Sequence, residues 1–228
     1  MKFKIRSSVV AMLLIGVLAV SAAPASADQE ERQGTVHQAT AAFNDFVRDP
    51  DKTWFRQHIG NAQGVLIVPK LVKAGFIIGG SGGSGVLLGR DAKTGEWSYP
   101  AFYTMGSVTF GLQIGGQVSN IMMLVMTQKG MDSLLSTDVK LGTDASIAIG
   151  PVGTGVGAQT ADILVFSRDR GLFGGLTIEG SVIKPRNSWN SEYYGKPTTA
   201  TDIIVRRNVS NAGADALRSA VTKTAKGM

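Results

Sequence analysis

The sequence predicts an α+β fold: a Gly-rich, strongly curved, mostly antiparallel sheet or small barrel, flanked by N- and C-terminal helices. Three observations predict it. Residues 29–58 carry apolar side chains at three- and four-residue spacing. From Gly64 to about 184 the chain breaks into β-branched runs studded with glycine, and from 188 the helical texture returns. Strands grouped together between helices argue for antiparallel pairing rather than alternating βαβ units. Glycine makes up 29 of 228 residues, about twice the ordinary share of ~7%, with no triplet period. Within strands, glycine marks bulges, tight bends or close backbone approach, so its abundance argues for curvature.

The elements follow in order. Val36, Ala39, Phe43, Phe46 and Val47 form one apolar stripe of a first helix. Asp49-Pro50 ends it and starts a second, with Asp49 as N-cap and Pro50 at the first helical position. Trp54, Phe55 and Ile59 face inward from that second helix, and Gly60-Asn61 stops it. Val65–Val68 is a short apolar strand closed by Pro69. Ala74–Arg90 is a glycine-studded strand, Asp91–Gly95 a hairpin loop, and Glu96–Tyr103 the returning strand. Ser107–Val118 and Asn120–Met126 read as two more strands. Thr127 caps a helix over 128–136 that buries Met131, Leu134 and Leu135. Segments 144–150, 154–167 and 171–184 are strand-like, Ser188–Tyr194 is a helical turn, and Thr201–Arg207 and Asn211–Lys223 close the chain as helices. The total is seven or eight strands in a single domain over 28–228, with no internal linker or repeat.

The first 27 residues read as an address. Lys2, Lys4 and Arg6 precede the apolar run Val9–Val20, and Ala25-Ser-Ala27 supplies small residues at a cleavage point. This is a secretory signal peptide, and its run is too short to cross ~30 Å of hydrocarbon. Localisation is expected in the periplasm or outside the cell, peripheral to a membrane at most. Taking those three cations from the 23 Lys and Arg, against 17 Asp and Glu, leaves +3. Such a charge suits weak attraction to an anionic membrane surface and falls short of a nucleic-acid footprint. With no Cys, thiolate chemistry, disulfides and Cys-type metal centres are excluded, and with two His neither a multi-His metal centre nor a cofactor is expected.

Six blocks follow one another in order: GVLIVPKLVKAGFIIGGSGGSGVLL (64–88), WSYPAFYTMGSVTFGLQIGGQ (97–117), LVMTQKGMDSLL (124–135), LGTDASIAIGPVG (141–153), ADILVFSRDRGLFGGLTIEGSVI (161–183) and YYG (193–195). Together they closely resemble the SYLF domain family, over about Thr53–Val205. The resemblance implies a lipid-binding module. Eukaryotic members add partner-binding modules, bind anionic phosphoinositide membranes and in some cases bind actin. Bacterial members similar to this chain are usually a signal peptide plus the domain. An exported chain would not meet actin, so the expected partner is anionic phospholipid or a membrane surface. A cell-envelope protein partner without a lipid ligand is the alternative.

The candidate lipid contacts are Lys70 and Lys73, which flank Leu71-Val72, with Arg90 at a loop edge and Lys184 with Arg186. Their stems can lie along apolar surface while the charged ends meet headgroups. Gly80–Gly85 (GSGGSG) lacks the Gly-Lys-Ser/Thr ending of a P-loop and leads into a strand, so it reads as a bent strand rather than a phosphate cradle. Phe102, Tyr103, Trp189, Tyr193 and Tyr194 read as core aromatics before an interfacial belt. Met122, Met123 and Met126 read as a buried strand before an acyl pocket. His37, His58, Asp162, Asp169 and Glu179 stand in no catalytic motif, and no enzyme is expected.

Overall fold

The computed structural model describes residues 23–75, 78–110, 115–149, 160–171 and 178–228. Helix α1 runs Ala23–Arg48, starting earlier than the stripe alone indicated and within the expected leader. Asp49 caps the 3-10 turn Pro50–Lys52, its carboxylate accepting from the Asp51 N–H at 3.0 Å. Helix α2 (Thr53–His58) and a turn at Ile59–Asn61 follow. Phe43, Phe46, Phe55 and Phe166 meet edge-to-face with centroids 5.1–6.3 Å apart. Such pairs contribute about 0.5–1.5 kcal/mol each beyond their burial.

The sheet order is β5-β8-β3-β2-β1-β4-β7-β6. The strands are β1 (Gly64–Gly75), β2 (Ile78–Gly89), β3 (Ala101–Phe110), β4 (Gly115–Val125), β5 (Val139–Lys140), β6 (Ile147–Ile149), β7 (Ile163–Gly171) and β8 (Val182–Pro185). Every pairing but β6 with β7 is antiparallel. The edge strands β5 and β6 are neighbours in sequence, and a bridge from Leu141 to Ala145 closes the short turn between them. The sheet therefore curls almost onto itself, as the glycine content predicts.

Both faces of the sheet are covered near its α1 end. Val65, Ile67, Val86, Leu88, Phe102, Met122, Leu124 and Phe166 pack outward beneath α1, α2 and the C-terminal helices. Leu66, Val68, Leu87, Tyr103, Met105, Ile121, Met123 and Val165 point into the curl, with Met131 and Leu134 of α3 (Gln128–Leu135). Double coverage explains the unbroken apolar runs, which ordinarily mark parallel sheets. It also puts Phe102, Tyr103, Trp189, Tyr193, Met122 and Met123 in the core.

Several boundaries differ from the sequence reading. Pro69 does not end β1. It sits in a bulge between Val68 and Leu71, a place where proline's missing N–H is tolerated. Ser119 lies inside β4 rather than between two strands, because β3 ends at Phe110 and β4 begins at Gly115. The segments 144–150 and 171–184 contain only β6 and β8 as described strands, and β5 was not anticipated. The expected strand start at 154 lies outside the described residues. Helix α4 (Asn187–Tyr194) matches the expected helical turn, and α5 (Asp215–Ala225) matches the last closing helix but starts four residues later, after a 3-10 turn at Ala212–Ala214. Residues Asp202–Arg206 form a π-helical turn ending at Arg207.

Candidate functional site

Beyond the helices, the strands run on with small residues. Directly opposed residues of antiparallel strands share a face. One outward row reads Gly106, Gly82, Val72 and Val118, and the next reads Val108, Gly80, Ala74 and Gly116. None of these eight positions carries a polar side chain. Val108 is 70% exposed and Val72 41%, and Ala74, Gly82 and Gly116 are exposed too. The result, among the described residues, is a bare apolar face four strands wide.

A row of cations borders this face where the helices stop. Lys184 pairs with Thr104 and Thr104 with Ser84 across β8, β3 and β2. The Arg186 Nη1 donates to Ser84 Oγ at 3.0 Å, and its guanidinium lies 3.2 Å from the centroid of the Trp189 ring. Exposed Lys70, in the β1 bulge, shares a cleft of about 390 Å³ with Ser84, Trp189, Glu30 and Glu31. On the far side Arg168 stands opposite Asn120 on the same outward face, 4.0 Å from Asp49.

The bulge brings the backbones together. A Cβ added at Gly83 would lie 2.6 Å from the Lys70 carbonyl, and one at Gly85 2.5 Å from that of Ile67. Only glycine fits there. Burial pushes the Arg186 pKa down, Glu31 raises it, and Arg32 lowers it again. Arg32 is itself buried, paired with Glu192 and placed 5.5 Å from the Trp189 ring.

Three of the five sequence-predicted residues, Lys70, Lys184 and Arg186, thus lie along one border. The other two do not. The one-residue bulge turns Lys73 to the inner face, opposite Ser81 and Gln117. Arg90 lies six residues along β2 from Ser84, about 20 Å at 3.3 Å per residue, and donates to the Gly60 carbonyl. Lys184 is tempered by Asp138 at 3.3 Å. Sequence reasoning missed Arg168, although its alternation with Leu164 and Phe166 was there to see. The GSGGSG run is strand, paired along its whole length with β3 and over Gly80–Gly82 with β1, the rest lying opposite the bulge.

Three of the groups weighed for catalysis, His37, His58 and Asp162, have other partners. His58 stacks on Trp54 at 3.7 Å, and His37 contacts Gln33. Asp162 is 6% exposed and receives Thr127 Oγ1 at 2.6 Å, Lys129 Nζ at 3.2 Å, and Ser146 N and Oγ at 2.9 and 2.8 Å. Burial pushes its pKa up, but the bonds from Thr127, Ser146 and Lys129 outweigh that. They hold the carboxyl well below the usual carboxylate range. Asp162 ties α3 to β6 and β7.

Known proteins share this sequence pattern. A family model described as Las17-binding protein actin regulator matches residues 106–224. The human SH3 domain-containing YSC84-like protein 1 is 29% identical over 161 residues, covering 68% of this chain and 46% of the relative. The LAS seventeen-binding protein 3 of Saccharomyces cerevisiae is 32% identical over 154 residues, covering 64% of this chain and 33% of the relative. The chain spans less than half the length of these curated relatives.

Proposed function

The chain belongs to the Ysc84 family of Las17-binding protein actin regulators, and on that premise we propose a non-enzymatic binding module that docks on anionic lipid surfaces. The observation that carries this reading is the bare outward face of β1–β4 beside Lys70, Arg186, Lys184 and Arg168. An exposed apolar face bordered by cations matches the chemistry of a bilayer surface, with acyl boundary next to phosphate headgroups. In this reading residues 1–27 direct export, and the module works in the periplasm or outside the cell. Actin, named in the family description, is then out of reach.

The test is co-sedimentation of the purified protein with vesicles from neutral to strongly anionic, at low and physiological salt. Binding that rises with anionic lipid and falls with salt supports the reading. Failure to sediment under every condition refutes it and moves the function to an envelope protein partner.

A further inference from the structure

A cavity of about 730 Å³ lies beyond the Gly89 end of β2, away from the bare face. Glu96–Tyr99, the segment 207–210 and α5 enclose it, and Lys196, Arg207 and Arg218 line it. Arg207 is the one described non-glycine residue with a positive φ, at 55°. An L-residue there costs roughly 1–2 kcal/mol, and helix ends of this shape ordinarily use glycine. The residue follows a π-helical turn, a geometry that gathers at functional sites.

The three cations are clamped by main-chain oxygens. Arg207 donates to the carbonyls of Glu96 at 3.0 Å and Gly89 at 3.2 Å. Arg218 Nε donates to the Trp97 carbonyl at 2.6 Å, and its guanidinium lies 4.9 Å from the centroid of the Tyr99 ring. Lys196 Nζ donates to the Asn208 carbonyl at 2.9 Å. Carbonyls orient a cation without cancelling its charge. Of the nearby carboxylates, Asp91 forms an ion pair with Arg207 Nε at 3.7 Å, Asp215 accepts the Tyr99 hydroxyl at 2.8 Å, and exposed Glu96 is part of the lining. Burial disfavours the charge on Arg207, Asp91 and Glu96 favour it, and Arg218 disfavours it again. A guanidinium has five N–H donors in a fork that matches a phosphate edge.

We propose that this cleft is a phosphate-binding site, with Arg207 and Arg218 gripping the oxygens and Lys196 closing the third side. The site stands apart from the membrane-facing border. Its phosphate comes either from a small phosphorylated solute or from a lipid headgroup.

Calorimetric titration with inorganic phosphate at low salt tests it. The expected result is saturable binding, weakened about tenfold by Arg207→Gly and by Arg218→Gln, as loss of a charge-assisted bond predicts. Glycine accepts the left-handed backbone, so Arg207→Gly removes the guanidinium without strain. Lys70→Glu leaves phosphate binding unchanged. A second arm uses vesicles containing phosphatidic acid. If both variants lose vesicle binding as well, the source is a headgroup, and if only the soluble arm suffers, it is a solute. Either outcome supports the site. The absence of any heat at millimolar phosphate, or variants that bind as wild type does, overturns it.

Discussion

Charge reversal at Lys70 should weaken vesicle binding, and the same change at Lys73 should not. The two lysines are three residues apart and look equivalent in the sequence. The bulge between Val68 and Leu71 separates them: Lys70 borders the bare face, whereas Lys73 shares the inner face with buried Leu71. A cation close to an anionic leaflet contributes about 1 kcal/mol. Lys70→Glu reverses one such charge, so the swing is about 2 kcal/mol, or roughly thirtyfold in partition coefficient. Lys184→Glu should cost less, because Asp138 at 3.3 Å already offsets part of its field. Lys73→Glu and Arg90→Gln should stay within about twofold of the parent, the scatter allowed for a surface change of ±0.5 kcal/mol. The assay is vesicle co-sedimentation at fixed anionic content and low salt, with circular dichroism to confirm folding. The Lys70 effect should shrink at physiological salt, where the Debye length falls to about 8 Å. Equal losses at Lys70 and Lys73, or none at Lys70, would refute the geometry.

Three further outcomes follow from the packing. Val108→Asp, on a side chain 70% exposed, should reduce vesicle binding and leave urea stability within about 0.5 kcal/mol. Asp162→Asn should destabilise the protein by about 2–3 kcal/mol at neutral pH, since it removes the charge from four hydrogen bonds at a buried site. The Asp162 pKa is lowered on folding, so its stabilisation is present above the unfolded value of about 3.9 and disappears as pH falls through the folded value. Urea midpoints should therefore converge between wild type and variant under strong acid, and a gap that stays constant from neutral to strongly acidic pH would contradict this. Gly85→Ala should lower stability to urea by about 1–3 kcal/mol, because the added carbon meets the Ile67 carbonyl at 2.5 Å; unchanged stability would mean that the bulge moves freely.

Much of the fold was legible, and the misses share one cause. Helical stripes survive in sequence because one face meets solvent, so Val36, Phe43 and Phe46 marked α1 plainly. The cap at Asp49 and the helix start at Thr127 were visible because a short polar side chain there satisfies an otherwise orphaned N–H. Strand limits were harder. Ile121–Val125 is buried on both faces, so the period of two that would have fixed its register is erased. Pro69 looked like a terminator because a bulge depends on the neighbouring strands and leaves no local sign. The candidate site suffered from the same blindness. Positive charge is visible one residue at a time, but the border formed by Lys70, Arg168, Lys184 and Arg186 depends on cross-strand register. Arg90 looked equivalent to them until that register carried it to the opposite end of β2.

The bulge in β1 sets the phase of everything downstream in that strand. One inserted residue puts Val72 and Ala74 outside and Lys73 inside. Straightening the bulge at unchanged chain length would slip the strand by one residue and exchange those positions together. The Lys73 ammonium group would then emerge in the middle of the bare face, opposite Gly80, and Val72 would turn inward opposite Ser81. Removing one residue between Val68 and Leu71 would instead abolish the bulge and keep Val72 opposite Gly82 on the outside. The chemistry of this surface is thus written in the match between strand length and bulge as much as in the identity of its residues.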